Sequence, residues 1–291
     1  MSHAQLPTPM PIGLDSVRVF FATRNKEQRS HIAFADLHIG ADGAGISVKR
    51  VCDVPVLSPG PIGHFDEHGV FPSSIISYDG QYYMYYIGWN QGAEAPMFYS
   101  SIGLAVSDDG ENFSRVSQAP LLARGEHDPC LVTSPHVQAF DQNWQMWYVS
   151  GINWFRDTYG KLHSRYHIKQ AHAANPFDWK RDGAVSIELK PSETNVARPT
   201  VFKTQTGRYV MLYSYVDTRI GYYRIGCAYS EDSIQWQRLD DNAGIQLDSH
   251  LCRHAACYPA IFQLGKRTYI LYNGDNFGRH GFVVASLKET F

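Results

Sequence analysis

Tyr82-Tyr83-Met84-Tyr85-Tyr86 is an unbroken aromatic and apolar run. It returns as Trp144-Gln145-Met146-Trp147-Tyr148, Tyr209-Val210-Met211-Leu212-Tyr213 and Thr268-Tyr269-Ile270-Leu271-Tyr272. The central residues 84, 146, 211 and 270 recur at intervals of about sixty residues, the mark of a repeat architecture. Eleven or twelve residues before each centre a proline opens a short run: Pro72, Pro135, Pro199 and Pro259. At the first residue of a strand a proline costs no ladder bond. After each aromatic run comes a third strand with a central alanine (Ala105, Ala171, Ala228, Ala285), and eight residues beyond the first three alanines stands Phe113, Trp179 or Trp236. Turn segments such as Ser107-Asp108-Asp109-Gly110 separate them, and apolar runs at 119–122, 184–189 and 244–247 close the units.

Four strands per unit and no amphipathic helix predict an all-β fold, a five-bladed β-propeller with four-stranded antiparallel blades around a central channel. Four copies are explicit. The fifth comes from strands at 17–23 and 31–37 with an outer one at 46–57. Five units of about 58 residues fill residues 1–291 as one domain. The first copy lacks an evident inner strand and the last lacks an outer one, so ring closure is expected to mix strands from the two ends. The alternative is a β-sandwich with chance similarity.

The net charge of −2 gives nucleic-acid binding little electrostatic support. Five scattered cysteines without a CxxC pair argue against a disulfide framework or a thiolate zinc site. No basic segment followed by an apolar one opens the sequence, and no apolar stretch reaches membrane-spanning length, so a cytoplasmic location without membrane association is expected. Abundant Tyr, Phe and Trp suit strands and also suit surfaces that stack on sugar rings.

In a propeller, the residues entering each inner strand stand at the channel mouth. Asp66 lies six residues before Pro72, Asp128 seven before Pro135 and Glu193 six before Pro199, while the place before Pro259 holds Arg253 and His254. Converging carboxylates shift one another's pKa, so one serves as general acid and another as base or nucleophile, the pairing that glycosidic cleavage uses. The alternative at each position is an acid that caps an Asx-type turn or binds loop amides.

The segments 65–74 (FDEHGVFPSS), 102–110 (IGLAVSDDG), 197–201 (ARPTV) and 272–282 (YNGDNFGRHGF) resemble the five-bladed propeller glycosidase superfamily of arabinanases, xylosidases, invertase-like fructosidases and mannoside phosphorylases. The nearest likeness is to cytoplasmic members linked to polysaccharide or sugar-metabolite biosynthesis, and it extends from about residue 17 to 286. The resemblance implies Asp66 as base or nucleophile, Asp128 as the acid that positions substrate and tunes pKa, and Glu193 as general acid.

Other residues expected at the mouth are the histidines His64, His68, His127, His136, His250 and His254, together with Trp89, Trp154 and Tyr258 as stacking platforms. Of these, His64, Trp89, Trp154, His254 and Tyr258 are the expected substrate-binding residues. Arg198 is expected to bind a substrate carboxylate or phosphate, or else to form a salt bridge to a neighbouring blade. Trp144, Trp147, Trp179 and Trp236 are assigned to packing between blades. No cofactor is expected; a metal ion in the central channel is the alternative that the histidines leave open. The functional expectation is a glycan-active enzyme that hydrolyses or transfers a glycosyl unit from a small glycoside or activated sugar. Its rivals are a non-catalytic sugar-binding module and a metal-assisted reaction on a sugar-derived metabolite.

Overall fold

The computed structural model describes residues 1–40, 43, 45–140, 143–245, 247 and 252–287. His250 and part of the 244–247 run lie outside them. Strands β1 (Ser2–Pro11), β2 (Ser16–Arg24), β3 (Ser30–Ile39) and β4 (Ile46–Val51) form an antiparallel meander. A second follows with β5 (Gly69–Tyr78), β6 (Gln81–Gln91), β7 (Phe98–Ser107) and β8 (Ser114–Arg115). The next comprises β9 (Val132–Phe140), β10 (Asn143–Arg156), β11 (Leu162–Ala173) and β12 (Val185–Ile187). Then come β13 (Glu193–Lys203), β14 (Tyr209–Asp217), β15 (Tyr223–Ser230) and β16 (Gln237–Arg238). Last are the three strands β17 (Cys257–Leu264), β18 (Arg267–Asn273) and β19 (Val283–Ser286). The only helices among the described residues are two short 3-10 turns, Asp240–Ala243 and Asp275–Gly278. Single parallel bridges, Ser30 to Gly69 and Tyr166 to Asn195, join the meanders into two eight-stranded sheets and one of three strands, none closed on itself.

The recurring aromatic run is the second strand of four meanders (β6, β10, β14 and β18), and it is largely apolar because both of its faces are buried. Tyr83 and Tyr85 of β6 pack toward β9–β11, whereas Met84 and Tyr86 pack toward β2 and β3. In β10 Trp144, Met146 and Tyr148 face one neighbour and Trp147 and Val149 the other. Strand β18 does the same, with Tyr269 and Leu271 toward β2 and β3 and Ile270 and Tyr272 toward β14 and β15. Apolar clusters thus join each meander to the next, and one joins the last to the first.

The alanines pair across the ladder with the centres of the aromatic runs: Met84 with Ala105, Met146 with Ala171, Met211 with Ala228 and Ile270 with Ala285. Their small side chains admit Phe113, Trp179 and Trp236 to the same clusters.

The N-terminal meander differs from the expectation. Its inner strand is β1, with Pro7, Pro9 and Pro11, a composition that hides a strand from a propensity reading. Strand β1 tolerates them because it has one hydrogen-bonded neighbour and bulges twice. The outer strand ends at Val51 rather than Leu57, and Leu57 keeps a lone bridge to Ile32. Among the described residues no ladder joins the two ends of the chain; β1 packs against β17 and β18 instead.

A second regularity sits one residue before the prolines. Leu6 (φ 51°), Ser134 (φ 49°), Arg198 (φ 54°) and Tyr258 (φ 60°) are left-handed, each directly before Pro7, Pro135, Pro199 or Pro259. Each falls where the inner strand slips register against its neighbour. A bulge of this kind re-aims the side chains around it.

Trp144 is fully buried, with Tyr78 and Tyr83 edge-on to its ring. Trp144→Ala should lower the unfolding free energy by about 3–5 kcal/mol in urea titrations. A loss below about 1 kcal/mol would contradict the packing described.

Candidate functional site

The inner strands enclose a cavity of about 900 Å³, a size that suits a small ligand. Its floor is built by the inner strands: the left-handed Leu6, Ser134 and Tyr258 line it together with Phe71, and Ala197 lines it beside the left-handed Arg198. The walls are aromatic, with Trp89 from β6, Phe98 from β7, Tyr166 from β11 and Tyr223 from β15. Two loops form the rim: residues 25–29 between β2 and β3, which bring Glu27 and Arg29, and residues 95–97 before β7. Arg24 and His68 add to the polar lining, with Gln5, Gln91, Ser100 and Thr133.

Trp89 is held by its indole Nε1, which donates to Ser30 Oγ (2.9 Å), and it lies 5.8 Å from the His68 ring. The hydroxyls of Tyr166 and Tyr223 are 2.6 Å apart, and Tyr223 and Tyr258 contact each other at 5.8 Å. Burial pushes all three phenols up, Tyr223 and Tyr258 well above the ordinary range, so they remain hydrogen-bond donors at neutral pH. Arg24 Nε donates to Gln5 Oε1 (2.8 Å), and its guanidinium stands 5.8 Å above the Phe71 ring.

Of the expected substrate-binding residues, Trp89 and Tyr258 line this cavity. Trp154 stands behind it, edge-on to the wall residue Phe98 at 5.6 Å. His64 is half-buried in the loop before β5, where its carbonyl accepts from Asn90 Nδ2 (3.0 Å); neither it nor Trp154 is a lining residue. His254 lines a separate depression of about 590 Å³ with Tyr222 and Phe277, and its Nδ1 lies 3.2 Å from Asp275 Oδ2. Tyr223 borders both spaces.

Arg198 turns away from the cavity into the channel below it, a space of about 210 Å³ lined by Thr8, Ser73, His136 and Pro259. It is 2% exposed. Its terminal nitrogens donate to Ser73 Oγ (2.5 Å) and Thr8 Oγ1 (2.7 Å), so β13 is tied to β5 and β1 across the axis. No salt bridge to a neighbouring meander involves it among the described residues, and its Nε has no partner. Burial lowers its pKa to about 9.

Asp66, Asp128 and Glu193 are almost wholly buried, and none lines the cavity. No hydrogen bond or ion pair links any two of them among the described residues. Each is instead held inside its own meander by an arginine from the outer region. Asp66 Oδ2 accepts from Arg115 Nε (2.9 Å) and Nη2 (2.7 Å) and from the Tyr86 hydroxyl (3.3 Å). Asp128 accepts from Arg181 Nη1 (2.7 Å) and the Tyr148 hydroxyl (3.1 Å), with Lys169 Nζ 3.6 Å away. Glu193 takes a bidentate pair from Arg238 (2.7 and 2.8 Å), and Tyr213 donates to the neighbouring Asp240 (2.5 Å). The same arginines reach backbone carbonyls just upstream: Ser58, Ala123 (2.8 Å) and Glu188 (2.8 Å).

The three phenols are pushed up by burial and, in next place for Tyr86 and Tyr148, by the adjacent carboxylate; they stay protonated and donate. Gly103 and Gly226 leave room for two of these rings, since a Cβ would sit 2.3 Å from Tyr86 or 2.7 Å from Tyr213. The geometry is that of a repeated clamp which holds each crossover segment on the meander it enters. It is close to the alternative in which such acids bind neighbouring groups of their own loop.

Sequence reasoning passed over Arg24, Glu27, Arg29, Tyr166 and Tyr223. The residues directly before Pro7, Pro72, Pro135 and Pro259 line the cavity, whereas Arg198, before Pro199, lines the channel below it. Among the described residues no group of three His, Cys, Asp or Glu is placed to hold a metal ion. None of the five cysteines is in a disulfide.

No family model matches the chain. It is 33% identical over 294 residues to the uncharacterized protein Rv1502 of Mycobacterium tuberculosis (strain ATCC 25618 / H37Rv), an alignment covering 99% of this chain and 93% of that protein. It is 28% identical over 193 residues to the 1,2-beta-oligomannan phosphorylase of Thermoanaerobacter sp. (strain X514), covering 66% and 59% of the two chains. A thermostable family-43 glycoside hydrolase superposes with a TM-score of 0.69 at 16% identity, covering 100% of this chain and 92% of that one. At that identity the likeness is one of fold.

Two expectations follow. Asp128→Asn leaves Arg181 and Lys169 with no carboxylate and should cost about 3–5 kcal/mol in urea titrations. Adding Arg181→Met should recover part of that loss, and an unchanged stability in the single variant would contradict the clamp. His136, half-buried in the channel, is lowered to about 4 by burial and by Arg198. Its neutral form is the one that folds, so its contribution is present above pH 6.5 and is lost as pH falls toward 4. His136→Gln should flatten stability against pH in that window, and an unaltered slope would contradict it.

Proposed function

The chain belongs to the family of the Mycobacterium tuberculosis protein Rv1502, and on that premise we propose a glycan-active enzyme that handles a sugar in the 900 Å³ cavity. The observation that carries this is the lining itself: aromatic walls and a few fixed polar groups, on a fold shared with a glycoside hydrolase. Trp89 and Tyr258 offer ring faces for a pyranose, and the hydrogen-bonded Tyr166–Tyr223 hydroxyl pair keeps one O–H to donate to a sugar oxygen. We read the meanders as five blades of a single-domain propeller, supported by the cluster that packs the last against the first. A cytoplasmic location and a role in polysaccharide or sugar-metabolite synthesis belong to the same reading.

The reaction is the transfer of a glycosyl unit. Hydrolysis by the usual route needs two carboxylates flanking the scissile bond, and among the described lining residues Glu27 is the one carboxylate. Inverting transfer to an anionic acceptor such as phosphate needs only one protein acid: an acceptor oxygen bonds to the anomeric carbon as the glycosidic C–O bond breaks, and the acid protonates the leaving oxygen. Glu27 takes that role here, while Asp66, Asp128 and Glu193 act through the clamps. The similarity to a 1,2-beta-oligomannan phosphorylase supports transfer over hydrolysis. A single lining carboxylate also suits a sugar-binding module without turnover.

Incubation with a panel of oligosaccharides that includes β-1,2-mannobiose, with and without phosphate, tests the proposal by chromatography of the products. Conversion of at least one substrate is expected, with Glu27→Gln about 100-fold slower and Trp89→Ala weaker in KM. Full conversion by Glu27→Gln would remove Glu27 from the reaction. Binding without turnover would favour the module, and neither binding nor turnover would overturn both.

A further inference from the structure

Among the described residues, four of the eight buried or half-buried arginines pair with a carboxylate. Arg18 pairs with Asp36 and Glu111, Arg115 with Asp66, Arg181 with Asp128 and Arg238 with Glu193 and Asp240. Two around the cavity floor do not. Arg24, half-buried at the end of β2, lines the cavity; its Nε is used by Gln5, and its two terminal nitrogens have no partner among the described residues. Arg198 is buried just below, surrounded by hydroxyls and carbonyls with no carboxylate bonded to it. Tyr258 lies within the electrostatic reach of both. Arg29 on the rim adds a third cation against the lone Glu27.

A guanidinium withdrawn from water without a counter-charge is unfavourable unless a ligand supplies that charge. Its planar fork matches carboxylate and phosphate oxygens through two parallel N–H···O bonds. We propose that the sugar ligand of this cavity carries an anionic group, phosphate or carboxylate, which seats on the free face of Arg24 beside Tyr258. The inference rests on the glycan reading of the same cavity and narrows it to acidic or phosphorylated sugars. Burial lowers the Arg24 pKa, but the group remains a cation at neutral pH and its charge is available to the ligand.

Calorimetric titration with mannose, mannose 1-phosphate, glucuronic acid and inorganic phosphate tests it. One of the two anionic sugars should bind at least tenfold more tightly than mannose, and the one that does identifies the group. That advantage should shrink with added salt, disappear in Arg24→Gln and partly return in Arg24→Lys, with melting temperatures showing that both variants fold. Because the wild-type comparison needs no variant, a misfolded Arg24→Gln leaves the test intact. Equal binding of mannose and both anionic sugars would overturn the anionic group and leave the glycan reading standing. Inorganic phosphate binding as tightly as mannose 1-phosphate would overturn the claim that the charge belongs to the sugar. Absence of binding by all four would overturn the inference and count against the glycan reading with it.

Discussion

A strand that lines a channel at one end and floors a cavity at the other must change the direction of its side chains partway along. In this protein the change is made by one left-handed residue before a proline. The conformation costs on the order of 1–3 kcal/mol for a residue with a Cβ, and the proline already excludes the right-handed helical alternative for the residue before it. Four inner strands pay this cost at the same place, at Leu6, Ser134, Arg198 and Tyr258. The packing of each second strand on both faces holds the inner strands in position while they do so. Without the bulges, Tyr258 and Ser134 would not meet on one floor.

The clamps do complementary work at the other end of each crossover. A segment that leaves the outer edge of one meander must return to the axis of the next, and it carries backbone carbonyls with no ladder to satisfy them. Arg115, Arg181 and Arg238 each bind such a carbonyl and a buried carboxylate together. Charge-assisted, partly bidentate bonds of this kind fix geometry closely. The recurrence of acid, tyrosine and arginine in three successive meanders follows from a shared mechanical task, and the account needs no common substrate to explain it.

Much of the architecture was legible in the sequence because burial on both faces leaves an unbroken apolar signature at Met84, Met146, Met211 and Ile270. The N-terminal inner strand was not, since Pro7, Pro9 and Pro11 erase strand propensity, and only its position at a sheet edge makes it tolerable. For the site, counting back from the prolines located the right elements and the wrong distance for the cavity floor. Acids six or seven residues upstream stand where the crossover meets the meander, whereas Tyr258 and Ser134, one residue upstream, stand where the strand meets the cavity. Arg24 and Glu27 carried no repeat signal, because the β2–β3 loop that presents them has no counterpart of the same composition in the other units.

We propose that clamp and cavity divide the labour between them. A crystal structure determined with a bound oligosaccharide tests it most directly. It should show a sugar ring against Trp89 and Tyr258, with Arg24 within hydrogen-bonding distance of the ligand and the Asp66, Asp128 and Glu193 pairs intact. A ring bonded to any of those three acids, with its arginine displaced, would contradict it.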